Sequence, residues 1–166
     1  MEPRPRQATR SAGAGSPVAI SGPGVIAVPA QSFMWTATVT SLFNLGFEAP
    51  PGSEVRLIQN GTTIAEKRNI AAHHVLTNRH LEWLLFVDTD MQIPQGALRR
   101  LLESEEEIVG ALYVERQRDH ELSGQSFVSA GFLSAGSIIP LTRWDGSLRA
   151  VDVVGAGCLR VRRSRL

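Results

Sequence analysis

Two acidic side chains, one residue apart, directly follow a strongly apolar segment of this chain. The segment is Trp83–Val87, and the acids are Asp88 and Asp90. Such an apolar run predicts a strand that is buried on both faces of a parallel sheet. Ligands of open α/β sheets bind beyond the carboxyl ends of the strands, so the acids would lie at a binding edge. Two carboxylates there suit Mg²⁺ or Mn²⁺, held partly by phosphate oxygens. An ordinary Asp-Thr-Asp turn is the alternative interpretation.

Two cations and one amide fall where they could serve the same edge. Lys67 and Arg68 lie near the start of a predicted helix, where positive charge opposes the helix macrodipole. A cation in that position is explained if it faces an anion. The spacing favours this for Arg68, whereas Lys67 is better explained as a solvated surface residue. Asn60 follows the second predicted strand, where it could contact a base or a ribose or simply form a turn with Gly61.

The elements around these residues alternate between strand and helix. This alternation predicts an α/β fold with a doubly wound, mostly parallel sheet. A capping-box pattern, Thr63 to Glu66, predicts the start of the second helix. The apolar residues predicted for the buried side of that helix are Ile64, Ala71, Ala72, Val75 and Leu76. The predicted strands are Val25–Val28, Val55–Ile58, Trp83–Val87 and Ile108–Val114, with helices starting after Ser32, after Thr63 and at Pro94.

The two ends of the chain differ from this regular middle. Residues 1–24 are rich in Gly, Pro and Arg, and we expect a flexible basic tail there, followed by one domain over 25–166. Near the other end, the segments Ala150–Val154 and Cys158–Val161 flank a Gly-Ala-Gly turn. They predict a C-terminal β-hairpin, in which Val153, Cys158 and Val161 would expose apolar surface.

Bulk properties exclude several classes of protein. The chain has 166 residues, 43% of them hydrophobic and 20% charged, which is typical of a globular domain with a core. A net charge of +1 argues against a dedicated nucleic-acid partner. Cys158 is the sole cysteine, so an intrachain disulfide and a cysteine-based zinc site are excluded.

The uncharged stretch from Ser11 to Phe47 invites comparison with a membrane segment. Prolines and glycines break it, so we expect no transmembrane segment. A signal peptide remains an alternative. We expect a cytoplasmic protein, since the cysteine content is compatible with a reducing compartment.

Taken in order, these pieces resemble the GT-A-fold glycosyltransferases, particularly family 2-like members from bacteria and phages. The likeness covers about residues 25–116 and continues more loosely to the end. It rests on five segments: Val25–Pro29, Ala65–Ala71, Leu85–Pro94, Ile108–Tyr113 and Val151–Cys158.

The resemblance implies a nucleotide-diphosphate-sugar donor at the edge of the sheet and transfer of its sugar to an unknown glycan, lipid or protein acceptor. By likeness to the family, Pro29 would border the base and Asn60 the base or ribose. Arg68 would face the diphosphate. Asp88 would contact the ribose or a metal-bound water, and Asp90 would hold Mn²⁺ or Mg²⁺ directly. The cation would stabilise the charge that develops on the departing diphosphate.

The chain also departs from the family. Complete members continue into a helix that carries an acidic general base, and here no acid follows Asp152. We therefore expect a domain that is incomplete at its C-terminus, binds donor and transfers sugar slowly or not at all. Asp152 and Glu115 are the acids that could replace the base. The competing interpretations are a non-catalytic nucleotide-sugar-binding remnant or module, a HAD-type phosphatase and a nucleotidyltransferase.

Overall fold

The structure is a computed structural model, and it describes residues 19–30, 33–113, 129–141 and 145–166. Three α-helices, eight strands and a short 3₁₀-helix at Arg163–Arg165 lie in these ranges. The helices are α1 (Thr36–Glu48), α2 (Ile64–Thr77) and α3 (Ala97–Glu103). The strands are β1 (Gly24–Val28), β2 (Glu54–Leu57), β3 (Trp83–Val87), β4 (Ile108–Gly110), β5 (Ala130–Ser134), β6 (Ser137–Pro140), β7 (Val153–Val154) and β8 (Cys158–Arg162).

A mixed five-stranded sheet forms the centre, in the order β2-β1-β3-β8-β4. Strands β2, β1 and β3 pair in parallel, whereas β8 runs antiparallel to both β3 and β4. A smaller antiparallel sheet has the order β6-β5-β7. The predicted α/β class is confirmed. The expectation of a mostly parallel sheet holds only for the first half, because β8 inserts between two strands that share one direction.

The predicted C-terminal β-hairpin is wrong. Strand β7 pairs with β5 in the small sheet, whereas β8 enters the large sheet. The connecting glycines bond to other segments: the Gly155 amide donates to the Ser129 carbonyl, and the Gly157 carbonyl accepts from the Asp88 amide. The expected exposed surface at Cys158 and Val161 is also absent, since both are buried between neighbouring strands.

Helix α2 begins as its sequence predicts but buries a different face. The Thr63 side chain accepts from the Glu66 amide, and the Glu66 carboxylate accepts from the Thr63 amide, so the capping box is confirmed. Ala71 and Val75 are buried, as expected. Ile64 and Leu76 are exposed, which corrects the prediction. Ile64 is the first residue of the helix, and Leu76 follows the buried Val75 directly, so its side chain points about 100° away from that of Val75.

The other two helices cover the opposite layer of the core. Leu42 and Leu45 of α1 and Leu98 of α3 join β1 and β3 in one apolar cluster. Helix α1 begins at Thr36, and the expected cap, Ser32, lies outside the described residues. Helix α3 begins three residues later than its predicted start at Pro94. No helix of the described residues is long and apolar enough to cross a membrane.

The described chain begins within the segment expected to be a tail. Ile20 is buried, and its amide donates to the Leu102 carbonyl at 3.0 Å. Gly24 already belongs to β1, where a Cβ would lie 2.2 Å from the Trp83 ring. The first strand therefore fits against β3 only with glycine at this position.

Arg160 of β8 is a fully buried cation in the centre of the sheet. Its guanidinium donates to three backbone carbonyls, those of Leu101, Ser104 and Glu107, at 3.1–3.2 Å. Burial lowers the pKa of Arg160 to about 10, so the group stays charged at neutral pH. These bonds tie the end of α3 and the start of β4 to β8.

We expect Arg160→Met to reduce the free energy of unfolding by about 3 kcal/mol or more, because three hydrogen bonds from a buried charged group are lost. Urea denaturation measures this. The matched control is Arg99→Met, whose parent side chain is 74% exposed and contacts Glu103 only at 3.9 Å. The control should change stability by no more than about 0.5 kcal/mol. Equal effects of the two substitutions would contradict a structural role for Arg160.

Candidate functional site

The carboxyl ends of β1, β2 and β3 meet at one edge of the large sheet, because these three strands are parallel. The residues that follow them are Pro29, Ile58 and Asp88. Backbone hydrogen bonds extend the first two strands: Ile58 donates to the Val28 carbonyl, and Ala30 donates to the Ile58 carbonyl. The candidate site is built along this edge.

An ion pair between Arg68 and Asp88 is the centre of the site. Arg68 Nη2 lies 2.9 Å from Asp88 Oδ1, with 28% and 35% of the two side chains exposed. The guanidinium also lies 5.7 Å from the centre of the Phe86 ring. Within the part of the chain that the structure describes, its buried Nε has no hydrogen-bond partner. Arg68 therefore keeps a buried donor for which the described residues offer no acceptor.

Burial raises the pKa of Asp88, since desolvation disfavours the carboxylate. Arg68 acts in the opposite direction through its charge and its hydrogen bond, whereas the negative charge of Asp90 raises the pKa further. Ionised Asp88 thus depends on a nearby positive charge. A second positive charge at this edge would stabilise both carboxylates.

The turn after β3 is fixed by helix α1. The Thr89 carbonyl accepts from the Trp35 amide at 3.0 Å and from the Thr38 hydroxyl at 2.9 Å. Residues 89 and 90 form a turn, as in the simpler interpretation of the motif. This turn leaves Asp90 exposed beside half-buried Asp88. The turn is therefore confirmed, and the cation site at these two acids stays a prediction.

Tyr113 is connected to Asp88 through Gly157, although the sequence alone did not identify it as a site residue. Its hydroxyl accepts from the Gly157 amide at 2.9 Å, while the Gly157 carbonyl accepts from the Asp88 amide at 3.0 Å. A Cβ at Gly157 would lie 2.8 Å from that hydroxyl and 3.3 Å from Asp88 Oδ2. Glycine is required here because two side chains, those of Tyr113 and Asp88, approach the backbone closely. In the sequence, the Gly-Ala-Gly pattern is the signal for this close approach, but the same pattern also predicts the turn of a β-hairpin.

The remaining predicted residues lie at the same edge with different surroundings. Pro29 is buried beside the end of β2, and Asn60 is exposed just beyond it. Lys67, expected at the surface, is 6% exposed, and its ammonium donates to the Ala30 carbonyl at 2.5 Å. Lys67 is buried and not solvated, because its ammonium group binds the Ala30 carbonyl just beyond β1. Glu115, the possible replacement base, lies outside the described residues.

The residues present could hold a divalent cation together with a bound ligand, but they could not surround it with protein ligands alone. In the described ranges, no three His, Cys, Asp or Glu side chains form a group that could hold a metal ion. Asp88 and Asp90 supply two carboxylates. Mg²⁺ commonly binds through one or two carboxylates together with water and substrate phosphates. A divalent ion here would take its other ligands from a bound phosphate or from water.

Comparisons with known proteins identify a shared fold but no family. No family model matches the chain, and no curated protein matches it. Among solved structures, the chain is similar to A197 from STIV, with a TM-score of 0.53 and 16% sequence identity. The match covers 86% of this chain and 65% of that one, so the chain spans about two thirds of the length of A197.

We expect Arg68→Gln to raise the pKa of Asp88, because a charge and a hydrogen bond that lower it are lost. Asp90→Asn should lower the same pKa, because a neighbouring negative charge is removed. NMR titration of the Asp88 carboxyl carbon measures both shifts. The pKa of Asp145, which is lowered by hydrogen bonds from Ser147, should not change in either variant. Unchanged Asp88 titration in both variants would contradict the coupling.

The same pKa predicts how stability depends on pH. The folded pKa of Asp88 lies above the reference value of 3.8, so the folded state binds this proton more tightly than the unfolded state. The contribution of Asp88 to folding stability is therefore greatest below 3.8 and decreases as pH rises through the folded pKa. Asp88→Asn should remove this part of the pH dependence in thermal denaturation.

Proposed function

We propose that this protein binds a nucleotide-diphosphate sugar at the carboxyl edge of its large sheet, with a divalent cation, in the manner of a GT-A-fold glycosyltransferase. The observation that carries the proposal is the Arg68–Asp88 pair. It places an arginine, whose buried Nε has no hydrogen-bond partner among the described residues, against the Asp88 carboxylate, two residues before Asp90. A cation–diphosphate complex has the matching charges, since its phosphates suit the guanidinium and its metal ion suits the carboxylates.

Each residue has a distinct part in this proposal. Asp90 is the more exposed carboxylate and would hold the cation directly. Asp88 is fixed by Arg68 and by its backbone bond to Gly157, which suits a ribose hydroxyl or a water bound to the metal. Pro29 and Asn60 border the space where the base would lie. The position of the site beyond parallel strand ends supports this orientation.

Sugar transfer to an acceptor is the second part of the proposal. It needs a group that accepts a proton from the attacking hydroxyl. Asp152 is exposed, but one of its oxygens accepts from the Leu133 amide at 2.9 Å on the small sheet. Its hydrogen bond is consistent with a structural role for Asp152. Donor binding without transfer, the non-catalytic alternative, would share every contact of the Arg68–Asp88 site.

We expect UDP or GDP to bind in the presence of Mn²⁺ and to bind much more weakly in EDTA, as measured by titration calorimetry. Arg68→Ala should weaken binding about tenfold to a hundredfold, since a charge-assisted hydrogen bond to phosphate is lost. Asp90→Asn should weaken the Mn²⁺-dependent binding more than Asp88→Asn does, because Asp90 is the direct ligand in the proposal.

The matched control for the arginine is Arg99→Ala, which removes the same charge from an exposed position on α3. It should leave nucleotide affinity unchanged. Equal affinity in Mn²⁺ and EDTA, or no binding by the folded protein, would overturn the proposal. If Arg68→Ala lowers the melting temperature sharply while Arg99→Ala does not, Arg68 has a structural role and its assignment to the diphosphate is wrong.

A further inference from the structure

The outer strand of the large sheet, β2, is an exposed apolar edge. Among the described residues, its strand neighbour in the sheet is β1. Val55 is 46% exposed and Leu57 is 52% exposed. The Ile58 amide and carbonyl both bond toward β1, so the alternating backbone groups of Val55 and Leu57 face outward. A free edge of this kind is a template for another strand.

Helix α1 continues this apolar edge. A Cβ on Gly46 would lie 3.5 Å from Val55, so this side of the helix faces the edge strand. Val39 and Phe43 lie seven and three residues before Gly46, on the same side of the helix. Phe43 is 64% exposed, and Phe47, about one helical turn further along, is 88% exposed. We call Val39, Phe43, Phe47, Val55 and Leu57 the edge patch.

The charges of β2 match those of an antiparallel copy of itself. If a two-fold axis passes through Val55, then Glu54 of one chain lies opposite Arg56 of the other, and the reverse. The two Val55 residues then form a hydrogen-bonded pair, as their outward backbone groups require. An axis through Arg56 would instead place two arginines opposite each other. Charge and backbone geometry therefore select the same register.

The Glu54 and Arg56 side chains are reachable from outside. They are 33% and 44% exposed, respectively, and form an ion pair at 2.9 Å within the chain. Arg56 uses Nη1 both for this contact and for its contact with His74. Within the described residues, its Nε and Nη2 donate no hydrogen bond, so both can bind a second carboxylate. An arginine has five N–H donors, so it can serve both carboxylates at once.

The opposite edge of the sheet, formed by β4, lacks this charge complementarity between two antiparallel copies. Strand β4 has three residues and follows directly after Glu105, Glu106 and Glu107. An antiparallel copy there would bring acidic segments close together, which is unfavourable. The two edges thus differ in length, exposure and charge, and β2 is the one suited to self-association.

We propose that two copies of this chain associate through β2 and the edge patch, forming a continuous ten-stranded sheet across a two-fold axis. The α1 helices of the two copies pack beside the axis and cover their exposed phenylalanines. Such an isologous interface uses the same surface on both chains. It is independent of the proposed nucleotide site, which lies at the carboxyl ends of the strands.

The first test is the mass of the full chain in solution by sedimentation equilibrium, from micromolar to near-millimolar concentration. We expect twice the 18.0 kDa mass of one chain. Glu54→Arg and Arg56→Glu should each give monomers, because like charges then face each other across the axis. Phe43→Asp should also give a monomer. Circular dichroism and thermal denaturation check that each variant is folded.

Mixing the two charge variants makes the test specific. The Glu54→Arg chain carries arginine at positions 54 and 56, and the Arg56→Glu chain carries glutamate at both positions. In a mixed dimer, each arginine therefore lies opposite a glutamate of the other chain. We expect a heterodimer from the mixture and a restored homodimer from the double variant that carries both substitutions. Neither recovery is expected if the single variants dissociate only because they are misfolded.

Leu133→Asp is the matched control, since Leu133 is 57% exposed on a strand of the small sheet. It should remain dimeric. A wild-type chain that is monomeric throughout the concentration range would overturn the proposal, as would binding of the monomer to lipid vesicles or to another protein through the edge patch. Folded single variants that stay dimeric would also overturn it, because the proposed register would then be wrong.

Discussion

The antiparallel pairing of β8 with β3 is the interaction on which the rest of the structure depends. It extends over five residue pairs, from Trp83 opposite Arg162 to Val87 opposite Cys158. Among the described strands, β4 pairs with β8 alone, and the buried Arg160 ties α3 to the same strand. The pairing also brings Gly157 to the Asp88 amide. The core and the candidate site therefore both depend on the pairing of β8 with β3.

The electrostatics of the site follow from its partial burial. Arg68 balances the charge of Asp88, while Asp90 adds a further negative charge beside the pair. A diphosphate alone would meet repulsion from Asp90 as well as attraction from Arg68. A divalent cation changes this balance because it binds the carboxylates and the phosphates together. In the proposed site, the burial and the Asp90 charge that raise the pKa of Asp88 would thus favour a metal-bound anion over a bare one.

The sequence predicted the parts of the fold that depend on local signals. The capping box of α2, the buried β3 and the inward Ala71 and Val75 of α2 are confirmed, because each depends on spacing within a few residues. The location of β8 was not predictable in this way, since a short strand after a glycine-rich turn can pair with its neighbour or with a distant strand. Arg160 was similarly ambiguous: a cation alternating with apolar residues usually marks a solvated face.

The two adjacent cations of α2 show why the site needed the structure as well as the sequence. Successive residues on a helix point about 100° apart, so Lys67 and Arg68 reach different strands. Lys67 binds the Ala30 carbonyl beyond β1, and Arg68 binds Asp88 beyond β3. Each positive charge near the helix N-terminus is unfavourable by itself and is compensated by an oxygen at a strand end. Because both oxygens lie at the carboxyl edge, the pair fixes the start of α2 over the site. Arg68 is held with an Nε that has no hydrogen-bond partner among the described residues, and this donor would face the anion of the proposed site.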